Sequence, residues 1–161
     1  MRRAAVLLAI GFGIGRVPLA PATAASLAVA VLLFAIGALA PSALAPLPVA
    51  LALLVLLPIA IWSSGEAEKE LGHDAHPIVV DEVVGMLAAV VGIGRIAEPN
   101  PALLLFLAFA LFRFFDIVKP FPIRDVERVP LGFGIVLDDL VAGFYASLVV
   151  FVLHLWWPSL T

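Results

Sequence analysis

Apolar residues fall in five runs, 22–40, 47–62, 83–97, 102–115 and 140–157, and the stretches between them carry nearly all the charge. A helix crossing a bilayer needs ~20 residues at a rise of ~1.5 Å each, so the first and last runs are comfortable spans while the third and fourth are short. The period-2 alternation of barrel strands is absent, which leaves helix as the state that satisfies every backbone group in lipid. Runs three and four are joined by Glu98-Pro99-Asn100-Pro101. Whether they cross a thinned region or form a re-entrant pair, the chain returns to the side from which it entered. The pattern predicts an all-α fold, a polytopic membrane helical bundle of about four to five hydrophobic helices, with 1–161 forming a single integral-membrane domain. Small residues such as Ala24, Ala28, Gly85, Gly92, Gly143 and Ala146 suit close helix packing in lipid. Arg2-Arg3 ahead of the short run 4–10 has the order of a signal peptide, but Gly11 to Gly15 interrupts the apolar core. The segment is read as an interfacial helix kept in the mature protein.

Composition sharpens this reading. Hydrophobic residues make up 64% of the chain and charged ones 13%, too little charge for an ordinary soluble surface. The formal net charge of -3 comes without a basic tract, which excludes nucleic acid as an expected partner, and no protein partner is inferable. The chain has no Cys, so disulfides and thiolate chemistry are excluded. Tracing the crossings puts 1–21, 63–82 and 116–139 on one side, together with Arg2, Arg3, Arg16, Lys69, Arg113, Lys119, Arg124 and Arg128. Only Arg95 lies near the other side, so the basic side is expected to face the cytoplasm. Trp156-Trp157 at the far boundary fits an interfacial aromatic anchor.

Three stretches on the basic side could carry chemistry. The Gly/Pro-rich loop at 11–26 leads into a helix start and offers backbone N–H groups and the hydroxyls of Thr23 and Ser26 to an anion such as phosphate. It lacks the Gly-Lys-[Ser/Thr] element of a P-loop, and Thr23 as a plain N-cap is the competing account. In the second stretch, Asp81-Glu82 stands immediately before an apolar run. Capping explains one carboxylate there, but two ionised groups at a membrane boundary repel unless a cation intervenes. A hard ion such as Mg²⁺ suits carboxylate, water and phosphate oxygens. The third stretch places Arg113, Asp116 and Lys119 three apart, on one helical ridge until Pro120, and ends in a second doublet, Asp138-Asp139. Carboxylate clusters beside Arg113, Lys119 and Arg124 on one face are the constellation of metal-assisted phosphate chemistry. A small transporter, or an ion or proton relay, using interfacial carboxylates is the alternative, and it predicts acids at mid-membrane depth.

At these residues the sequence resembles the phosphatidylglycerophosphatase A family. The resemblance rests on Gly11-Phe12-Gly13 with Pro18, Ala20-Pro21, Thr23 and Ser26; His73-Asp74 with Ile78-Val79-Val80-Asp81-Glu82 and Gly85; Phe112 through Arg124; and Gly132-Phe133-Gly134 with Leu137-Asp138-Asp139 and Ala142-Gly143. Ala22 and Ala25 stand where the family pattern usually has Gly, and Leu19 where a Lys is common. The resemblance implies a Mg²⁺-dependent phosphoric monoester hydrolase of the bacterial inner membrane, with a cytoplasmic active site. Its reaction would convert phosphatidylglycerophosphate to phosphatidylglycerol and inorganic phosphate, with membrane lipid as surroundings and substrate; Mg-assisted attack of water is the expected route and an aspartyl-phosphate intermediate the alternative. Asp81, Glu82, Asp138 and Asp139 are then the expected metal ligands or water-orienting groups, with Asp74 and Asp116 next as catalytic residues. Arg113, Lys119, Arg124 and His73 are expected to bind substrate, with Thr23 and Ser26 donating hydroxyl hydrogen bonds.

Overall fold

A computed structural model describes residues 2–72, 75–92 and 101–156. These form seven α-helices: α1 Arg2–Ala9, α2 Pro21–Leu39, α3 Pro46–Leu71, α4 Val80–Val90, α5 Pro101–Val118, α6 Ile123–Val126 and α7 Phe133–Trp156. Single 3-10 segments, Gly11–Arg16 and Pro41–Leu44, precede α2 and α3. Proline opens α2, α3 and α5, where its missing N–H would have no partner in any case. Gly72, at φ 100°, ends α3 in a conformation that a side chain resists.

Four helices, α2, α3, α5 and α7, are long and apolar enough to cross a membrane. Their outer faces remain apolar in the bundle: Val31, Leu47, Leu54, Phe106 and Leu148 are all more than half exposed, as lipid-facing side chains are. The expected polytopic helical bundle is therefore observed. The helix ends differ from the apolar runs. α3 continues past 62 to Leu71, α5 past 115 to Val118, and α7 begins at Phe133 rather than 140. Apolarity marks where a helix meets lipid, whereas the backbone ladder continues into the polar boundary until Gly, Pro or a turn stops it. The connector 98–100 and Arg95 lie outside the described residues.

α4 is the central element. Val84 through Val90 are buried on every side, which accounts for a run that is apolar all round yet only 11 residues long as helix. It packs against α7 through two glycines. A Cβ on Gly143 would lie 2.2 Å from the Gly85 carbonyl oxygen, and one on Gly85 would meet the Phe112 ring at 2.3 Å. This close crossing brings the N-terminal turns of α4 and α7 side by side. α1 lies against α3, burying Ala5 and Ala9, as an interfacial helix docked on the bundle does.

Candidate active site

The polar end of the bundle is assembled from the ends of α2, α4, α5 and α7. Ser26 on the first turns of α2 bonds Glu82 of α4, Arg113 of α5 bonds the same Glu82, and Lys119 just beyond α5 bonds Asp138 of α7. The turns that arrange this are strained. Among the described residues, Phe12, Ala20, Lys119 and Leu131 are the non-glycine positions with positive φ, and all four lie outside the α-helices at this end. Lys119 precedes Pro120, and a residue before proline is pushed out of the α region. It therefore leaves the ridge that Arg113 and Asp116 share, and its side chain turns to α7. The predicted three-residue ridge thus holds for Arg113 and Asp116, which pair at 2.9 Å, and not for Lys119.

These elements enclose a cavity of about 400 Å³ lined by Thr23, His76, Asp81, Glu82, Arg113, Asp116, Lys119, Asp138 and Asp139, among others. Five carboxylates face two fixed cations there. The cations are already committed: Arg113 Nη1 lies 2.7 Å from Glu82 Oε1, and Lys119 Nζ lies 2.8 Å from Asp138 Oδ2 and 2.6 Å from Glu127 Oε1. Burial works against the Lys119 charge, yet its hydrogen bonds to Asp138 and Glu127 prevail and raise its pKa above the ordinary lysine value. Burial pushes the Glu82 carboxyl up to about 7, against the opposing pull of Arg113 and Ser26. The Ser26 hydroxyl sits 2.6 Å from Glu82 Oε2 and 2.8 Å from the Ala22 carbonyl oxygen. Its single proton serves one of these two acceptors at a time.

Asp116, Asp138 and Asp139 each offer a carboxylate oxygen, all within 4.8 Å of one another. Asp139 Oδ2 is buried without a hydrogen-bond partner among the described residues. An acceptor-only group left bare in a nest of like charges is costly, and three converging carboxylates are the donor set of a hard divalent cation. The residues present therefore fit a hard divalent cation. Of the four carboxylates expected as ligands, Asp138 and Asp139 lie in this cluster with Asp116, Asp81 lines the cavity beside them, and Glu82 bonds Arg113 and Ser26.

The doublets also sit differently from the apolar pattern. Asp81-Glu82 lies in the first turn of α4 and Asp138-Asp139 in the second turn of α7, inside the helices rather than ahead of them. Neither Asp81 nor Glu82 is the N-cap residue of α4. The N-cap of α4 is Val79, without a side-chain cap bond. Thr23 lines the cavity, whereas Ser26 is fully buried in its wall, bonded to Glu82 instead of facing the space. Arg124 is exposed and bonds the Val118 carbonyl at 3.4 Å, away from the lining. His73 and Asp74 lie outside the described residues. Glu127 and His76 join the site without having been anticipated. Glu127 sits in a run of alternating charge, Arg124-Asp125-Val126-Glu127-Arg128, that reads as a solvated turn, and only the fold brings it to Lys119.

Comparison with known proteins places this arrangement. The sequence profile of the family described as Phosphatidylglycerophosphatase A matches residues 7–154. The chain is 38% identical over 152 residues to Phosphatidylglycerophosphatase A of Haemophilus influenzae, covering 93% of this chain and 88% of that protein. It is 34% identical over 154 residues to the protein of the same name from Escherichia coli, covering 94% and 84%. A Bacteroides thetaiotaomicron protein that bears the provisional name phosphatidylinositol-3-phosphatase is 39% identical over 151 residues, with 91% of each chain covered. No solved structure matches.

Proposed function

Because the chain belongs to the phosphatidylglycerophosphatase A family, we propose that it hydrolyses phosphatidylglycerophosphate to phosphatidylglycerol and inorganic phosphate, with Mg²⁺ as cofactor, at the cytoplasmic face of a bacterial inner membrane. The observation that carries this reading is the bare Asp139 oxygen in a three-aspartate cluster, in a cavity that also holds Arg113 and Lys119. Asp116, Asp138 and Asp139 would hold the cation. Bound there, it supplies Lewis-acid polarisation of the phosphoryl group and a lowered pKa for water. In the reaction, a water oxygen bonds to phosphorus, the bond from phosphorus to the glycerol oxygen breaks, and that oxygen takes a proton.

The chain's own residues do the rest. Arg113 and Lys119 offset the charge of the arriving phosphate, and the buried Arg113 Nε, which has no partner among the described residues, is a donor held in reserve for a phosphate oxygen. Thr23 on the cavity wall donates a hydroxyl hydrogen bond. Asp81 orients the attacking water and accepts its proton. Glu82 acts through Arg113, fixing the guanidinium between α4 and α5. The basic face carrying Arg2, Arg16, Lys69 and Arg128 supports a cytoplasmic orientation. The relay alternative is not favoured, because the cavity carboxylates gather at one end of the bundle.

The test is phosphate release from phosphatidylglycerophosphate by purified protein in micelles, with Mg²⁺ and with EDTA, alongside phosphatidylinositol 3-phosphate as competing substrate. Release that depends on Mg²⁺ and prefers the glycerol lipid is expected. Metal-independent release sinks the metal assignment, and preference for the inositol lipid sinks the substrate assignment.

A further inference from the structure

α2 and α5 each carry their cavity residues and a lipid-facing groove on one helical stripe. On α2 the stripe runs Thr23, Leu27, Ala30, Phe34, spaced four, three and four. On α5 it runs Phe106, Phe109, Arg113, Asp116, spaced three, four and three. Thr23, Arg113 and Asp116 line the polar cavity, while Leu27, Ala30, Phe34, Leu105, Phe106 and Phe109 line a separate hollow of about 270 Å³ between the same two helices. Along both helices the hollow begins one turn beyond the cavity residues, Leu27 after Thr23 on α2 and Phe109 before Arg113 on α5. Its floor is the small Ala30 and the buried Leu105, and its rims, Leu27 and Phe106, are 52% and 62% exposed, so it opens sideways to lipid. Among the described residues, no charged one lines it. From Thr23 to Phe34, eleven residues at ~1.5 Å each span about 16 Å, close to half of a ~30 Å hydrocarbon core and hence to one leaflet.

From this arrangement we infer that the α2/α5 groove holds an acyl chain of the phospholipid substrate and is the side on which the lipid enters from the bilayer. The inference rests on the reading of the polar cavity as a lipid-phosphate site. A diacyl glycerophosphate has an anionic head and apolar chains joined at the boundary, and the two stripes change from polar to apolar at that same boundary. The larger apolar hollow of about 360 Å³ at α2, α3 and α4 is the rival. It uses Ala25, Ala28 and Leu32, on the face of α2 turned away from Thr23, and reaches Val79, Val80 and Val83 beside Asp81, so labelling at Leu32 and Ile59 is what tells it from the α2/α5 groove.

The experiment uses the full chain in vesicles with phosphatidylglycerophosphate carrying a diazirine midway along one acyl chain. After illumination, labelling is expected on Leu27, Val31, Phe34, Phe106 and Phe109, at least about fivefold above Leu54 and Leu148, which are exposed outside the groove, and displaced by unlabelled substrate. Even labelling of all exposed apolar positions, or concentration on Leu32 and Ile59, overturns the assignment. As a second arm, Ala30→Trp is expected to lower kcat/KM about tenfold for the dioleoyl substrate and less than twofold for the same headgroup without acyl chains. Equal losses on both overturn it. Groove labelling without phosphate release from any substrate would refute the hydrolase reading and leave the groove standing. Phosphate release without groove labelling would do the reverse.

Discussion

Two acidic doublets, Asp81-Glu82 and Asp138-Asp139, begin from the same local chemistry and end in different roles. In each, the first carboxylate accepts the N–H of the second residue, at 3.0 Å in α4 and 2.9 Å in α7. Beyond that bond they part. Glu82 is held by Arg113 and Ser26, while Asp139 Oδ2 has no hydrogen-bond partner among the described residues and lies within electrostatic reach of Asp81, Glu82, Asp116 and Asp138. A carboxylate neutralised by a guanidinium is a brace. One left bare among its own kind has no such compensation among the described residues. The difference teaches that a doublet in sequence names the place where charge gathers, and the neighbours supplied by other helices decide what each charge does.

Asp139→Asn should break the comparison outright. Removing one anionic ligand is expected to lower phosphate release about a thousandfold and to abolish thermal stabilisation by Mg²⁺, read by melting with and without the metal. Gly143→Ala tests whether the doublets must be adjacent. Its methyl would lie 2.2 Å from the Gly85 carbonyl, so α4 and α7 must separate, and activity should fall about a hundredfold with a melting temperature several degrees lower. Activity unchanged in this variant would show that the close crossing is dispensable.

Glu82→Gln sharpens the contrast. Activity should fall about tenfold through a loosened Arg113, while Mg²⁺ affinity stays within about twofold of the parent. Glu82 also predicts a pH signature. Its carboxyl is raised from the ordinary 4.5 to about 7, so the folded protein binds a proton that the unfolded chain has released. The associated stability is present in full below 4.5 and is lost as pH rises through about 7. The melting temperature of the parent in EDTA should therefore decline relative to Glu82→Gln between pH 5 and 8. A constant difference would refute the shift. The smallest effect belongs to Glu127→Gln, which leaves Lys119 its bond to Asp138 and should cost about threefold in kcat/KM.

Much of the architecture was legible before the structure. The apolar runs announced the bundle because a lipid environment admits few ways to satisfy a backbone, and charges were rare enough in those runs to mark the polar end. The acidic doublets and Arg113 were visible for that reason. Glu127 was not, since it stands in a stretch whose alternating charges look solvated. Ser26 was legible as a hydroxyl but not as a partner of Glu82, because 56 residues separate them. The short α4 was ambiguous for a related reason. A run that is apolar all round fits a span in lipid or a core helix within a bundle equally well, and only its burial on every side distinguishes the two.

The sequence by itself determined a helical membrane protein with phosphate-suited charges gathered at one end. Hydropathy and charge are properties of single residues, which solvent and lipid sort without reference to distant neighbours. Only the tertiary structure decided which aspartates converge, that Glu82 pairs with Arg113, and that an apolar hollow lies between α2 and α5. Those outcomes depend on how closely two glycines let α4 and α7 approach, and on the rotation of each helix about its axis. Both are set by packing between elements far apart in the chain.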